Sequence, residues 1–328
     1  MEDVLSVKNL MALYQGRKVF FDPLWGNNGD KLITMGSHKV LRECGVRLVH
    51  SPKRADVIVI NGGASMTSSL WQHGLRILSA YALECKGKTI VVLPQSWEFE
   101  PMEFKKLISD NYTQRIYLYA RERYSYELLK QITGKNIYIG LDHDMAFHLD
   151  NSSFLVDLKR KACNEHILIV ERGDKESATG LRRQSSSLIP LISKAMPAPL
   201  RSRIPMRAKI KIVEKIAPLE RIARKVFHNR TEISTPFYHS ALELIAEKHP
   251  KFARLPIYYA DISLPTVCSF REFTLFIAQA AVVVTTRLHV AILSALLGKP
   301  TYLKQGPWHK IKGVYEYSLK KFDHVWLI

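Results

Sequence analysis

The segment Thr285-Thr286-Arg287-Leu288-His289 carries the two side chains of this sequence that are best suited to chemistry. It follows the apolar run 281–284 and precedes a helical pattern that begins near Leu288. A planar guanidinium can grip a carboxylate or phosphate with two hydrogen bonds, and an imidazole exchanges protons near neutral pH. We therefore predict that Arg287 binds an anion and that His289 acts as a general acid or base. The structural alternative is that Arg287 forms an ion pair and His289 caps the helix.

Two further cations hold similar positions in the second half of the chain. Arg172 follows the apolar run 166–170, and Lys310 follows the run 301–303. Ligands of open α/β sheets bind beyond the carboxyl ends of the strands. We predict that Arg172, Lys310 and Arg287 line a positive pocket for a small polyanion, although each of them alone is explained as a surface charge.

Polar loops follow the predicted strands of the first half. Gly26-Asn27-Asn28-Gly29-Asp30 precedes a helix, whose N-terminus would offer free N–H groups to a phosphate or carboxylate. Asn61-Gly62-Gly63 and Gln95-Ser96 follow two other apolar runs, so we expect the three loops to border one crevice. For each loop the alternative is a simple turn between strand and helix. The residues predicted to line the crevice are Gly26, Asn28, Gly29, Asp30, Asn61, Gly62, Gly63 and Gln95.

Alternating apolar runs and helical patterns indicate the elements that position these residues. In the first 150 residues we predict strands at 18–21, 57–60, 89–93, 115–119 and 137–139, and helices at 30–44, 66–84, 101–110 and 123–132. After a polar linker at 149–165, strands are predicted at 166–170, 257–260, 281–284 and 301–303. The pattern predicts an α/β protein with two Rossmann-like, doubly wound domains, at 1–150 and 151–328.

Two helix boundaries in the second half have clear local signals. Ser269 with Glu272 three residues later predicts a capping box for a helix that runs to about Gln279. Gly298 and Pro300 predict the end of the helix that begins near Leu288.

Composition limits the classes of function. The chain has 328 residues, 47% of them hydrophobic, and no apolar run long enough to span a bilayer, so we expect a cytosolic protein. The four cysteines lie far apart, which predicts neither a disulfide framework nor a zinc site. Asp142-His143-Asp144 resembles a metal-binding pair of carboxylates but has no supporting context, so we predict no bound metal.

The formal net charge of +18 favours an anionic partner. It is concentrated between residues 182 and 230, which contain thirteen basic and two acidic residues. Within this basic segment, residues 208–227 show apolar residues at helical spacing. One interpretation is a helix that covers the second sheet with a solvated basic face, and the other is a surface that contacts anionic lipid headgroups at the inner face of the plasma membrane.

The order of the short motifs resembles the polysaccharide pyruvyl transferase family over residues 18–316. The matching segments are Gly26-Asn27-Asn28-Gly29-Asp30, Asn61-Gly62-Gly63, Leu93-Pro94-Gln95-Ser96, Ala120-Arg121-Glu122-Arg123 with Ser125, Asp144-Met145-Ala146-Phe147, Arg287-Leu288-His289 with Gly298-Lys299-Pro300, and Lys310 with Gly313. The basic segment has no counterpart among these motifs.

The resemblance implies a fold similar to that of GT-B glycosyltransferases, with phosphoenolpyruvate as co-substrate and no cofactor. It also implies that Arg287 and His289 lie at the reaction centre, with Lys310 and Arg172 nearby. The acceptor would be a saccharide, lipid-linked, and the product a pyruvate ketal of an exopolysaccharide or cell-wall polysaccharide in bacteria.

Two other functions compete with this prediction. A GT-B glycosyltransferase that uses a nucleotide sugar would share the fold, because fold does not determine function. A basic nucleic-acid or membrane-binding module would explain the charge but not the cluster at the strand ends. We predict an enzyme whose partners do not include nucleic acid.

Overall fold

The computed structural model describes residues 5–24, 26–69, 72–102, 104, 114–132, 134–173, 177 and 235–328. The basic segment 182–230, with its predicted helix, lies outside the described residues. The strands are β1 (Lys18–Asp22), β2 (Arg47–Val49), β3 (Val57–Ile60), β4 (Gly63–Thr67), β5 (Thr89–Glu98), β6 (Ile116–Ala120), β7 (Ile137–Leu141), β8 (His166–Val170), β9 (Ile257–Tyr259), β10 (Ala280–Thr285), β11 (Thr301–Leu303) and β12 (Val325–Leu327).

Helices accompany these strands in the part of the chain that the structure describes. They are α1 (Val7–Ala12), α2 (Asn28–Glu43), α3 (His73–Glu84), α4 (Arg123–Leu129), α5 (Ser153–Arg160), α6 (Pro236–Lys248), α7 (Phe270–Ala278), α8 (Leu288–Leu296) and α9 (Lys310–Val314). Short 3₁₀ helices lie at Pro52–Arg54, Met145–Leu149 and Pro250–Phe252, and a π-helical turn at Tyr315–Leu319 follows α9.

The chain divides into two compact units. The first unit contains Met1–Leu24, Leu32–Phe154 and Trp308–Phe322, and the second contains Trp25–Lys31, Leu155–Pro307 and Asp323–Ile328. The start of α2 is thus counted with the second unit, and α9 with the first.

The first unit is built on a seven-stranded parallel sheet. Its strand order is β2-β1-β3-β5-β6-β7, and β4 pairs with the second half of β5. All four residues of β3 are buried, as expected for a strand that is covered on both faces. One apolar cluster includes Ile58, Ile60 and Trp97, and another includes Val57, Val59 and Leu93. Alternate residues of β3 therefore pack into different clusters on the two faces of the sheet.

The second unit has a five-stranded parallel sheet. Its order is β12-β11-β10-β8-β9, with β10 and β8 in the interior. Every residue of β8 and β10 is buried. Together the two parallel sheets with their helices confirm the α/β class.

Several predicted boundaries agree with the structure and others need correction. Strands β3, β8 and β11 have the predicted bounds. Residues 66–72, which we predicted as the start of a helix, include the end of β4, and α3 begins only at His73. The reason is that β4 pairs with an extension of β5, where Met66 lies opposite Trp97.

The same extension changes the position of one predicted loop. We expected Gln95-Ser96 to follow its strand, whereas β5 continues to Glu98 and contains both residues. Gly63 likewise begins β4 and does not lie in a turn between strand and helix. The predicted linker 149–165 contains α5, an amphipathic helix whose Leu155 and Leu158 are buried.

The local helix signals in the second half are confirmed. The Ser269 hydroxyl accepts a hydrogen bond from the Glu272 N–H, and the Glu272 carboxylate accepts one from the Ser269 N–H, which is the reciprocal arrangement of a capping box. Gly298, at φ +72°, follows the end of α8 in the left-handed conformation that glycine adopts readily.

Candidate functional site

Arg287 lies where β10 ends and α8 begins, and its side chain is held by a buried carboxylate. Its Nε is 3.0 Å from Asp261 Oδ1, and one of its terminal nitrogens bonds Asp261 Oδ2. The two side chains are 5% and 3% exposed. A two-point contact of this kind fixes the plane of the guanidinium as well as its position. The ion pair that the sequence left open as an alternative is therefore present.

Two threonine hydroxyls fix the backbone around the two arginines. Thr285 Oγ1 accepts a hydrogen bond from the Arg287 N–H (2.9 Å), and Thr286 Oγ1 accepts one from the Arg172 N–H (2.7 Å). Because β8 and β10 are neighbouring parallel strands, Arg172 and Arg287 leave the sheet at the same edge. Arg172, like Arg287, is largely buried, at 8% exposure. The structure thus brings these two predicted residues to one edge of the second sheet.

A second buried carboxylate lies at the same edge. Glu171, 1% exposed, accepts hydrogen bonds from the Thr235 hydroxyl (2.8 Å) and from the Tyr259 hydroxyl. Tyr259 is the last residue of β9, and Asp261 follows two residues later. The ends of β8, β9 and β10 therefore supply two buried arginines and two buried carboxylates. Charges this deeply buried are retained only when paired or hydrogen-bonded.

His289 packs directly against the backbone of Gly29. A Cβ atom placed on Gly29 would lie 2.8 Å from both Cβ and Nδ1 of His289. Only a residue without a side chain fits there. The first turn of α2 and the first turn of α8 are therefore in contact within the second unit.

The rest of the loop before α2 is organised by its own side chains. Asp30 accepts a hydrogen bond from the Asn27 N–H (2.7 Å), and a Cβ atom on Gly26 would lie 1.9 Å from Asp30 Oδ2. Asn27 Oδ1 accepts a hydrogen bond from the Gly29 N–H (2.7 Å), and its carbonyl oxygen accepts one from the Asp30 N–H. We expected this helix N-terminus to offer free N–H groups, but the chain itself already occupies them.

Asn28 joins this loop to the segment that follows β9. Its N–H donates to the Ser263 carbonyl oxygen (2.8 Å), and its Nδ2 donates to the carbonyl oxygens of Ile262 and Cys268 (both 3.1 Å). Asn28 is fully buried, and its Oδ1 has no hydrogen-bond partner among the described residues. The segment that carries Asp261 is thereby tied to the loop that contacts His289.

In the first unit, Asn61 and Gln95 belong to one buried network. Asn61 Nδ2 donates to the Pro23 carbonyl oxygen (2.8 Å) and to Thr34 Oγ1 (3.0 Å), and Asn61 Oδ1 accepts from Ser37 Oγ (2.8 Å). Gln95 Nε2 donates to the Asn61 carbonyl oxygen at 2.7 Å. A Cβ atom on Gly62 would lie 2.7 Å from the Pro94 carbonyl oxygen. The loop after β3 is therefore bonded both to the loop after β1 and to β5.

Arg121 and Asp144 form a second buried ion pair. Arg121 NH1 lies 2.6 Å from Asp144 Oδ2, its Nε donates to Ser96 Oγ (2.9 Å), and both charged side chains are 0% exposed. Asp144 also caps the 3₁₀ helix Met145–Leu149 through the Ala146 N–H. The motif residues Arg121, Asp144 and Ser96 thus join β5 and β6 to the segment after β7.

Lys310 is in the first unit, whereas Arg172, Arg287 and His289 are in the second. It is 7% exposed, and its Nζ lies 5.2 Å from the centroid of the Trp308 ring, within the range of a cation–π contact. Of the predicted loop residues, Gly26, Asn28, Gly29 and Asp30 are in the second unit, and Asn61, Gly62, Gly63 and Gln95 are in the first.

Lys299, from the Gly298-Lys299-Pro300 motif, has a structural contact. Its Nζ donates to the Cys163 carbonyl oxygen (2.7 Å) and to Asn164 Oδ1 (3.3 Å), just before β8. Burial lowers the pKa of the Lys299 ammonium below its usual value. This side chain fixes the turn before β11 to the turn before β8.

Asp142 and Asp144 are both bonded to protein groups. Asp142 accepts hydrogen bonds from the N–H groups of Val7 and His143, both at 2.7 Å, and Asp144 pairs with Arg121. Within the part of the chain that the structure describes, no three His, Cys, Asp or Glu side chains are grouped so as to hold a metal ion.

Neither the pairing of Asp261 nor the contacts of Asn28 are predicted from the sequence. Asp261 follows a strand of only three residues, which carries little periodic signal. One signal was available: Asp261 is the only acidic residue between 248 and 271 and comes directly after an apolar run. Asn28 was noted for its loop, but nothing in the sequence links it to residues 262–268.

The chain is similar to known proteins in sequence and in fold. A model of the polysaccharide pyruvyl transferase family matches residues 14–303. A solved structure of an uncharacterized protein from Klebsiella pneumoniae has a similar fold, with a TM-score of 0.57 and 18% sequence identity over 98% of this chain and 96% of that chain. A search of curated proteins gave no match. None of the helices in the described ranges is long and apolar enough to cross a membrane.

The family match spans β1 to β11 and includes Arg287, His289, Arg121 with Asp144, and the loop before α2. It covers well over half of the chain. This protein belongs to the polysaccharide pyruvyl transferase family.

Proposed function

We propose that this protein transfers the enolpyruvyl group of phosphoenolpyruvate to two hydroxyls of a saccharide, giving a cyclic pyruvate ketal. The observation that carries the proposal is the position of Arg287 and His289 at the junction of β10 and α8, where Asp261 orients the arginine and Gly29 borders the histidine. Family membership favours this reaction over transfer of a sugar from a nucleotide sugar. The product would serve exopolysaccharide or cell-wall polysaccharide biosynthesis.

Each proposed role follows from the chemistry of the donor. Phosphoenolpyruvate carries a carboxylate and a phosphate, which we assign to Arg287, Arg172 and Lys310, with Lys310 on the phosphate. His289 is the general acid and base. Arg287 is suited to its role because its orientation is set by Asp261 before any donor arrives, and preorganised charge is worth more than charge that must reorient.

The reaction balances without a redox or metal cofactor. The first hydroxyl adds to C2 while C3 receives a proton, which gives a tetrahedral adduct that still carries the phosphate. The bond between C2 and the phosphate oxygen then breaks, and the second hydroxyl closes the ketal ring. Of the two hydroxyl protons, one ends on C3 and the other on phosphate. This chemistry needs proton-transfer groups and cations for the donor.

The proposal extends to the setting of the reaction. It includes the GT-B-like arrangement that the resemblance implies, a lipid-linked saccharide as acceptor and a site of action on the cytosolic side of the plasma membrane. The basic segment 182–230 is proposed to contact anionic lipid headgroups there.

The test is to incubate the protein with phosphoenolpyruvate and a panel of lipid-linked saccharides. We expect release of inorganic phosphate that depends on the acceptor, together with a ketal methyl signal in the proton NMR spectrum. If the wild type releases no phosphate with any acceptor, the proposal is wrong. Release of a nucleoside diphosphate from a sugar nucleotide would identify a glycosyltransferase instead.

Two variants test the assigned residues in the same assay. His289→Ala should lower turnover by a factor on the order of 10² or more, as expected for loss of a general acid and base. Arg287→Ala should raise the Michaelis constant for phosphoenolpyruvate or lower turnover. His239→Ala, at an exposed position in α6, is the matched control and should leave both parameters unchanged. Wild-type turnover in His289→Ala would remove His289 from the mechanism.

A further inference from the structure

A cavity of about 600 Å³ lies in the first unit between the second half of α2 and the start of α5. Its residues from α2 are Met35, His38, Lys39 and Arg42, and those from the following segment are Leu149, Asn151, Ser152, Ser153 and Phe154. All of them belong to the first unit. None of them has a role in the reaction proposed above, so the cavity is a separate feature of the molecule.

The helix α2 presents its four cavity residues on one face. Positions 35, 38, 39 and 42 are three or four residues apart, which places their side chains next to one another on a helix. Ile33, Val40 and Leu41 lie on the opposite face and are buried in the apolar core. The core therefore fixes the rotation of α2, and the cations of α2 converge on the cavity.

The residues that line the cavity carry positive charge and no carboxylate. The nearest acidic partner of Lys39 is Glu43, whose Oε1 lies 3.0 Å from the Lys39 ammonium. Glu43 Oε2 lies 3.0 Å from the Lys8 ammonium as well. Glu43 therefore keeps a cationic partner when Lys39 turns to a ligand. Arg42 donates from Nε to the His38 carbonyl oxygen (3.3 Å), which uses one of its five N–H donors.

His38 shows that this positive charge is not balanced within the cavity. Its ring is half-buried and packs edge-on against Phe21, with the ring centroids 4.7 Å apart. Burial and the neighbouring Arg42 guanidinium lower the pKa of the His38 imidazole below its ordinary value. The segment 149–154 contributes no ionisable side chain to the cavity. An anion between these groups would favour all three positive charges at once.

The other wall combines apolar and polar groups. Leu149 and Phe154, with Met35 opposite, give the cavity apolar surface, and Ser152 and Ser153 bring hydroxyls. Ligand sites typically have such a lining, with a few convergent polar groups on a mostly apolar surface. A basic helix face that is only solvated has no need of apolar walls around its cations.

The Asp150 carboxylate is beside the cavity but does not line it. It accepts hydrogen bonds from the Asn151 N–H (3.0 Å) and from Asn151 Nδ2 (3.5 Å). Asp150 is exposed, so solvent screens its effect on an anion bound by α2. The charge that a ligand meets inside the cavity is therefore set by Lys39, Arg42 and His38.

We propose that this cavity is a second anion site, which binds a phosphate monoester that carries an apolar group. The Arg42 guanidinium and the Lys39 ammonium bind the phosphate oxygens, and the two positive charges match a phosphate dianion. His38 donates a further hydrogen bond. The apolar part of the ligand packs against Met35, Leu149 and Phe154. Binding makes and breaks no covalent bond.

Phenyl phosphate is the probe, because it joins a phosphate monoester to an apolar ring. In protein with ¹³C-labelled histidine, the His38 signal is identified by its loss in His38→Gln. We expect phenyl phosphate to move this signal and to raise the pKa of His38, because a bound anion favours the imidazolium. Arg42→Gln should raise the dissociation constant about tenfold or more, as loss of a charge-assisted contact implies.

The control is Arg76→Gln, the same substitution at an exposed position of α3 in the same unit, which should leave the dissociation constant unchanged. The proposal is wrong if phenyl phosphate moves the His289 signal but not the His38 signal, since it then binds only at the proposed donor site. Equal effects of Arg42→Gln and Arg76→Gln would also overturn it. Lys39→Gln serves if Arg42→Gln does not fold, as judged by circular dichroism. The readout is binding, so it stays valid if pyruvyl transfer is refuted.

A competition experiment separates the two sources of such a ligand. Phosphatidylcholine vesicles with phosphatidic acid present a phosphate monoester on a lipid surface, and vesicles without it are the control. If only the vesicles with phosphatidic acid displace phenyl phosphate from His38, the site accepts a lipid headgroup. If neither displaces it, the site takes a soluble phosphate ester.

Discussion

Asp261 sets the orientation of Arg287 through two contacts between its carboxylate oxygens and the guanidinium, Nε to Oδ1 at 3.0 Å and a terminal nitrogen to Oδ2. The carboxylate is contributed by the segment after β9 and the arginine by the junction of β10 and α8. Two stretches that are not consecutive in sequence thus meet at one ion pair. The pair places a cation at a strand end in a fixed direction, which is what a preorganised anion site requires.

Asp261→Asn should destabilise the protein strongly. The amide keeps the shape of the side chain but removes the charge that balances a buried guanidinium, and loss of one partner from a buried ion pair costs about 3–5 kcal/mol. Urea unfolding measures the change in the free energy of unfolding. The control is Asp157→Asn, which breaks an exposed pair with Arg160 (side chains 62% and 75% exposed) and should cost less than about 1 kcal/mol. Equal effects of the two substitutions would contradict this account.

Gly29→Ala should destabilise the second unit through His289. The new Cβ atom would lie 2.8 Å from His289 Cβ, and overpacking of this kind costs about 1–3 kcal/mol. In a His289→Gly background the clash is removed, so the same substitution should cost much less. Thermal unfolding of the wild type, the two single variants and the double variant gives the stabilities for a double-mutant cycle. Additive effects would show that Gly29 and His289 are not in the contact described.

Asn61→Asp tests whether Asn61 serves the scaffold. The carboxylate cannot donate to the Pro23 carbonyl oxygen or to Thr34 Oγ1, and a buried group that loses its partner costs about 1–3 kcal/mol. We expect a lower free energy of unfolding with the Michaelis constants for both substrates unchanged. Ser37→Ala, which removes only the donor to Asn61 Oδ1, should have a smaller effect of the same kind. A change in substrate affinity without a change in stability would instead place Asn61 in the binding site.

His166 should make the stability of the protein depend on pH. The side chain is 3% exposed and its Nε2 lies 3.0 Å from the Phe276 carbonyl oxygen. Burial lowers the pKa of this imidazole below its ordinary value, outweighing the hydrogen bond, which raises it. As the pH is lowered below about 6.5, the unfolded chain therefore takes up a proton before the folded protein does. The free energy of unfolding decreases as the pH is lowered further, until the pKa of the folded protein is reached.

The variant His166→Gln keeps a donor for Phe276 but does not titrate. Between about pH 7.5 and about pH 5.5, on either side of the ordinary histidine pKa, it should lose less stability than the wild type. Urea unfolding at both values measures the difference. The control is His239→Gln, which makes the same substitution at an exposed position of α6. Identical pH dependence in His166→Gln and wild type would contradict the prediction.

Much of the fold could be predicted because parallel strands that are buried on both faces appear as continuous apolar runs. Residues 57–60, 166–170 and 301–303 have the bounds that the sequence indicates. Glycine at 298 and the Ser269–Glu272 pair gave correct helix boundaries because their signals are local. The extension of β5 to Glu98 could not be predicted in this way, because it contains a proline and polar residues and is defined by its pairing with β4.

The candidate site was predictable only for side chains that follow an obvious strand. Arg172 and Arg287 do so, and the structure brings them to neighbouring strand ends. Asp261 follows a short strand, and Asn28 bonds Cys268 from a distant part of the sequence, so no local pattern indicates either pairing. These contacts depend on tertiary packing, which composition and periodicity do not describe.

The division of the chain has a consequence for synthesis on the ribosome. The first unit needs residues 308–322, which supply His309 beside Glu122 and Ser318 beside His143 (2.8 Å). These residues emerge only after residues 155–307 of the second unit have been translated. The first unit can therefore be completed only after most of the second unit has been translated, and neither unit is a continuous stretch that a simple truncation would isolate.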